Sequence, residues 1–213
     1  MSTRPRTAPI KRITTETQIT GKLNIDGRGV TEIKTPIGLL SHMLQLFSFH
    51  GFFDIELKVT GDTHIDIHHT NEDIGIALGK AFKEALKEKK SIKRFGSGFA
   101  PMEDTLGHTV IDISGRGHHK INYIGLAITS GMDKRPMLKE EEGYSYHHLD
   151  HFIESFAKQI GANIIITINN PNESADLHTV METVFKSLGL ALDQATTVDP
   201  RRTGVPSTKG IID

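Results

Sequence analysis

Cysteine and tryptophan are both absent from this chain of 213 residues. Without cysteine there is no disulfide, no thiolate zinc site, no iron–sulfur cluster and no cysteine nucleophile. Long apolar runs are missing as well. The longest, such as Ile164–Ile168, fall far below the roughly 20 residues that span a bilayer, so no membrane partner is expected. The first ten residues, MSTRPRTAPI, are basic and polar and contain no apolar stretch. They exclude a secretory signal, predict a short flexible arm up to about Pro9, and leave the cytoplasm as the default location. Neither sign of charge dominates: 25 Lys+Arg stand against 26 Asp+Glu, a net charge of -1. That balance argues against a nucleic-acid partner held by net charge.

What the chain does have is 12 histidines. Imidazole is therefore the main soft ligand and the main group titrating near neutral pH. The composition favours a histidine-rich enzyme, with metal dependence as one option it leaves open.

Period-two and helical patterns alternate along the chain. Arg12–Ile19 and Lys22–Ile25 are β-prone, and Asp26-Gly27-Arg28-Gly29 reads as a turn. After Pro36, apolar residues from Leu39 to Phe47 recur at helical spacing until Gly51. Phe52–Thr60 alternates as a strand, and a helix follows from about His68 to Lys87. The second half repeats this order: a strand at Thr109–Ser114, a helix at His147–Ile160 closed by Gly161, a strand at Asn163–Ile168 and a helix at Leu177–Gln194. Glu16-Thr17 falls on Asp104-Thr105 and Asp26-Gly27-Arg28-Gly29 on Ser114-Gly115-Arg116-Gly117 at one constant offset. Gly51 falls on Gly161, His68 and Glu72 fall on His178 and Glu182 at a second offset, and His42 meets His151 with a one-residue slip. We read an internal duplication of a strand–strand–helix–strand–helix unit. It predicts one domain of two pseudo-repeats, about 11–93 and 94–200, followed by a C-terminal tail. The second repeat carries a longer insertion between about Ile124 and Tyr146.

The sharpest motif is His68-His69-Thr70-Asn71-Glu72. On a helix His68 and Glu72 stack one turn apart, where an imidazole and a carboxylate can share a metal. His69 is turned by about 100° and points elsewhere. Two adjacent helical histidines thus suggest two metal sites flanking one helix, each completed from another element. His178 and Glu182 repeat the spacing, and His42 and His151 sit on the preceding helices. A mixed imidazole–carboxylate set suits Mn, Fe, Zn or Ni better than Ca or Mg. His64, His108, His118 and His119 read as capping, surface or core histidines, and His50, His147 and His148 stay open. A second, basic set lies in turn-like surroundings: Arg94, Arg116, Arg201, Arg202 and Lys209, with Ser207 and Thr208 beside the lysine. Hydroxyls, cations and flexible backbone suit a phosphate. No Walker motif is present, which excludes the usual NTPase signature. Glu16, inside a β-prone segment, reads either as a general base or as an exposed edge-strand carboxylate.

Taken together, these residues resemble the imidazoleglycerol-phosphate dehydratase family. The matching pieces are Thr15-Glu16-Thr17, Leu23–Gly29, His42-Met43-Leu44, Gly61-Asp62, His68–Asp73, Arg94-Phe95-Gly96, Asp112–Arg116, His151-Phe152, Ser155-Phe156-Ala157, Asp199-Pro200-Arg201 and Pro206–Gly210. They run from about residue 11 to the C-terminus. The resemblance implies an α+β fold with each half a four-stranded sheet backed by two helices. It implies a lyase of histidine biosynthesis that removes water from imidazole glycerol phosphate to give imidazole acetol phosphate. It implies two Mn(II) ions per site and a homo-oligomeric shell of 24 subunits with active sites at the interfaces. The implied metal ligands are His42, His68, His69, Glu72, His151, His178 and Glu182. Arg94, Arg116, Ser207, Thr208 and Lys209 would hold the substrate. Glu16 would be the acid/base, with Glu72 and Glu182 as the other carboxylates of the catalytic set.

The chain departs from the family pattern at three places. Thr179 stands where a second paired histidine is expected, Ser41 stands where an aspartate precedes the histidine, and Met102-Glu103-Asp104 inverts the order of its two acids. A water, His147 or His148 is a candidate for the missing ligand. The alternative to an active dehydratase is an impaired or non-catalytic metal-binding assembly protein of the same ancestry. A metal-dependent phosphoester hydrolase lacks an Asp-rich bimetal motif.

Overall fold

The computed structural model describes residues 5–124, 138–170 and 176–212. The first half contains β1 (Thr7–Ile13), β2 (Thr17–Asn24), β3 (Thr31–Lys34), α1 (Gly38–Gly51), β4 (Asp54–Gly61) and α2 (His68–Leu86). The second half runs β5 (Phe95–Met102), β6 (Thr105–Asp112), β7 (His118–Ile124), α3 (Tyr146–Ile160), β8 (Asn163–Asn169) and α4 (Leu177–Thr196). The sheet orders are β1-β2-β4-β3 and β5-β6-β8-β7. In each sheet the first three strands in that order are antiparallel and the last pair is parallel. The α+β fold of duplicated four-stranded halves, each with two helices, is therefore present. The insertion expected between about Ile124 and Tyr146 falls largely outside the described residues.

Alternation decides which face of each strand is covered. Ile55, Leu57 and Val59 in β4 and Ile164, Ile166 and Ile168 in β8 point inward and are buried, while their neighbours are more exposed. The helices present the complementary stripe: Leu149, Phe152, Ile153, Phe156 and Ile160 of α3 are all buried. α2 packs on β1 and β2, α4 packs on β5 and β6, and the helices meet as two pairs, α1 with α4 and α2 with α3. One apolar core runs through both halves.

Glycines set the closeness of these pairs. A Cβ on Gly79 of α2 would lie 2.7 Å from the Phe156 carbonyl oxygen of α3. A Cβ on Gly189 of α4 would lie 2.5 Å from the Phe47 carbonyl oxygen of α1. Only residues without a side chain allow backbones to approach this far.

Several boundaries differ from the sequence pattern. The segment Arg12–Ile19 is not one strand but the β1–β2 hairpin. The Thr14 hydroxyl accepts the N–H groups of Glu16 (3.2 Å) and Thr17 (2.9 Å), a local bond that competes with extended pairing. The arm expected to reach Pro9 ends sooner, because β1 begins at Thr7 and pairs Thr7 with Asn24. Gly161 closes α3 in the left-handed region, φ 74°. At the end of α1 the left-handed cap is Phe52, φ 55°, one residue past Gly51. Gly51 is needed for space instead, since a Cβ there would sit 2.3 Å from the Phe53 ring. β3, β5 and β7 carry no clear alternation and were not legible individually. Among the described residues no helix is long and apolar enough to cross a membrane.

Candidate metal centres and substrate site

The helix pairing brings the histidines of the two halves together. His42 of α1 meets His178 and Glu182 of α4, one turn apart on the same face. Glu182 Oε1 lies 3.2 Å from His42 Nε2 and 3.1 Å from His178 Nε2. Lys186, one turn further along α4, pairs with the other Glu182 oxygen. Glu141 reaches the second nitrogen of His178, 3.1 Å from Nδ1, which fixes the ring's orientation. Burial pushes the Glu182 carboxyl up, but Lys186, His42 and His178 outweigh it and hold the group below its ordinary value. Burial pulls His178 down, but Glu141 and Glu182 raise it above the usual imidazole value.

A second cluster joins α2 to α3. The donor nitrogens of His68, His147 and His151 all lie within 4.8 Å of one another. Ring centroids are 4.6 Å apart for His68 and His151 and 3.9 Å apart for His147 and His151. Burial, reinforced by His147 and His68, lowers the pKa of His151 and favours its neutral, ligand-competent form. Asn71 secures this crossing. Its side-chain amide donates to the His148 carbonyl (2.8 Å), and its carbonyl accepts from the Tyr144 hydroxyl (2.7 Å). Asn71 and Tyr144 are both fully buried. Burial of the Tyr144 phenol raises its pKa, so it stays a donor.

The structure thus brings together His42, His178 and Glu182, and separately His68 and His151. It does not put Glu72 or His69 into the second cluster. His69 Nδ1 is instead 3.3 Å from Glu16 Oε2. Both residues, with Glu72, Arg12, Thr14, Asp73 and Ile76, line a cavity of about 190 Å³. Arg12 was not singled out by the sequence. Its Nε lies 2.6 Å from the Asp73 carboxylate, which also accepts from Thr17. The one available signal was its position four residues before Glu16 at the same hairpin.

Two residues flagged for their sequence context have local duties. Thr179 is the third residue of α4, and its backbone N–H bonds the Asp176 carboxylate at 2.8 Å. The Asp176 carboxyl is lowered chiefly by that bond, and the Thr179 hydroxyl adds to it. Ser41 bonds the Thr35 hydroxyl (2.8 Å) and the Ile37 carbonyl (3.1 Å) at the start of α1. His148 Nδ1 accepts from the Ser145 N–H (3.0 Å) at the start of α3, which turns it to capping. His119 pairs with Asp150 at 3.1 Å.

The basic set is anchored just before β5, at the end of β6. Arg94 binds Asp112 through both Nε (2.6 Å) and Nη2 (3.1 Å), and its Nη1 donates to the Pro206 carbonyl (3.0 Å). That last bond ties the tail, with half-buried Ser207 and exposed Thr208 and Lys209, to the second sheet. Arg116 is exposed on the turn after β6, where Ser114 accepts its N–H at 3.2 Å. Arg201 is taken up by Asp199 at 2.6 Å.

A family model described as imidazoleglycerol-phosphate dehydratase matches residues 35–192. Curated relatives of that name include one from Geobacillus kaustophilus, 43% identical and covering 97% of this chain and 99% of the relative. Another, from Methanocella arvoryzae, is 44% identical over 97% of this chain and 100% of the relative. Among solved structures, IGPD from Pyrococcus furiosus in complex with (S)-C348 superposes with a TM-score of 0.74 at 34% identity, covering 94% of this chain and 99% of that one. Imidazoleglycerol-phosphate dehydratase from Staphylococcus aureus gives 0.72 at 27% identity, covering 91% and 99%.

Proposed function

From the premise that the chain belongs to the imidazoleglycerol-phosphate dehydratase family, a hydro-lyase of histidine biosynthesis, we propose that it carries out that dehydration with two divalent ions held at its helix pairs. The observation that carries the metal part is the pair of converging donor sets, His42, His178 and Glu182 at α1/α4 and the histidine cluster at α2/α3. Both sets fit a metal of intermediate softness, since one mixes imidazole and carboxylate, the other is all imidazole, and neither holds a thiolate. Mn(II) is the ion proposed. Such ions, when bound, act as Lewis acids and as a template for the substrate's imidazole ring.

The protein's own groups supply the rest. The carbon–hydrogen bond to be broken is not beside a carbonyl, so a positioned base is needed. Glu16, held next to His69 and opening onto the cavity, takes that proton on a carboxylate oxygen. Glu72 lines the same cavity and sets its negative charge. Arg116, Ser207, Thr208 and Lys209 hold the phosphate, and Arg94 positions the tail that carries three of them. The hydroxyl leaves as water by taking up a proton, which balances the one removed from carbon, and the enol left behind becomes the ketone.

We further propose a cytoplasmic homo-oligomer of 24 subunits with sites completed between neighbours. Exposed Phe49, Phe52, Phe95 and Phe99 support an assembling surface, and Glu16, His69 and Glu72 lie at an open cavity rather than inside the chain. Native mass spectrometry reads the subunit count directly. The reading of an impaired assembly protein is not favoured. The decisive assay is turnover of imidazole glycerol phosphate by Mn(II)-loaded protein. Product formation that is lost in Glu16→Gln supports the proposal, and no turnover with full metal occupancy refutes it.

A further inference from the structure

The two donor sets are chemically unlike, and one member of the second set lies outside the family's implied ligands. The set at α1/α4 has two imidazoles and a carboxylate. The set at α2/α3 has three imidazoles, His68, His147 and His151. His147 and His151 are four residues apart on α3, so both rings lie on the face that α2 crosses. The His147 ring lies nearly parallel to that of His68, 19° between planes and 6.0 Å between centroids.

Among the described residues, no carboxylate oxygen joins these three donor nitrogens within 4.8 Å. Asp150 is paired with His119 and Glu154 with Lys158, and Asp66 accepts the His68 backbone N–H at 2.9 Å. His148, the neighbouring histidine, is committed to Ser145. Three imidazole nitrogens converging with no carboxylate among them form a donor set that a single cation can take up.

On α4, Thr179 stands where the resemblance implies an imidazole. Thr179 is 6% exposed and bound into the Asp176 cap. The chain therefore loses one imidazole on α4 and shows one more on α3. Metal–nitrogen bonds of about 2.0–2.1 Å bring the nitrogens of a tetrahedral site to about 3.4 Å apart. His147 is exposed, which leaves its side chain room to rotate toward that spacing.

We propose that His147 is a metal ligand, making the α2/α3 centre a three-imidazole site. The inference rests on the metal-dependent reading above. It predicts that the two centres differ in preference. The imidazole-only site favours later metals such as Co(II) and Zn(II), and the carboxylate-bearing site better accepts Mn(II).

The test needs no substrate. The metal-free full-length protein is titrated with Co(II), and bound metal is followed by equilibrium dialysis and by visible absorption. The wild type is expected to bind two Co(II) per chain in two classes. His147→Ala is expected to weaken the tighter class at least about 10-fold and change its visible spectrum, with Co(II) affinity recovered when free imidazole is added. The metal-free variant's circular dichroism and melting temperature should match the wild type, because His147 is exposed on the first turn of α3. The proposal is overturned if His147→Ala binds two Co(II) with wild-type affinities and spectrum, or if its loss is not recovered by imidazole. A wild type that binds no Co(II), Zn(II) or Mn(II) overturns the metal-dependent reading itself.

Discussion

Asn71→Ala isolates the contact that sets α2 against α3. The Asn71 amide is buried between two partners, the His148 carbonyl at 2.8 Å and the Tyr144 hydroxyl at 2.7 Å. Alanine removes both bonds and leaves the Tyr144 hydroxyl buried without this partner, since Tyr144 is 0% exposed. A buried polar group left without its partner costs about 1–3 kcal/mol and a further lost hydrogen bond about 0.5–1.5 kcal/mol, so the change costs about 2–4 kcal/mol. At roughly 2–4 °C per kcal/mol for a chain of this size, the melting temperature should fall by about 5–15 °C. The second effect is local. His68 lies one turn before Asn71, so the α2/α3 cluster loosens while His42, His178 and Glu182 at α1/α4 stay in register. Calorimetry of the metal-free variant measures the first effect, and Co(II) titration resolves the second as weakening of one class only. A variant that melts within 1 °C of the wild type, or that weakens both classes equally, refutes the reasoning.

Glu182→Gln leaves Lys186 and two imidazoles without their shared anion. Saturating metal at 100 Kd stabilises the wild type by about 2.7 kcal/mol; a 100-fold weaker centre retains only about 0.4 kcal/mol, so most of the metal-induced rise in melting temperature from that centre should vanish. Arg94→Lys replaces a bidentate fork and cannot hold both Asp112 oxygens and the Pro206 carbonyl. It should raise KM more than it lowers kcat and make the tail more sensitive to limited proteolysis. The pH dependence of stability has a defined sign at Asp54. Burial pushes this carboxyl up, but the N–H groups of Arg28 and Val30 and the Asn24 amide outweigh it and hold the group below its ordinary value. A depressed folded-state value stabilises above the unfolded carboxylate pKa of about 3.9 and is lost as pH falls below it. Urea midpoints should therefore fall in acid, and Asp54→Asn should lower the neutral-pH midpoint while flattening that fall.

Much of the fold was readable where one face of an element carries the core. α3 shows its stripe of Leu149, Phe152, Ile153, Phe156 and Ile160 in sequence order, β4 alternates, and β8 shows as a short apolar run. β3 is four residues long, and β5 carries glycines where α4 presses on it: a Cβ on Gly96 would sit 1.9 Å from the Ala191 carbonyl oxygen. Glycines chosen for backbone contact erase the pattern that marks a strand. The site divides in the same way. His178 and Glu182 were legible because their i,i+4 spacing is local. The same spacing links His147 to His151, yet it gains meaning only once the packing of α2 on α3 brings His68 to them. Glu72 shows the converse, because a spacing that permits a shared metal with His68 does not oblige the side chain to take that rotamer. Thr179 and Ser41 stood out by comparison with a pattern, and their cap hydrogen bonds required coordinates to see.

The central claim is a dehydration that depends on two ions per chain. It is tested most directly by adding Mn(II) stepwise to metal-free protein and following imidazole acetol phosphate formation at each ratio. No activity without metal and a plateau at two Mn(II) per chain is the expected result. Full activity in metal-free protein, or a plateau at one ion per chain, would contradict it.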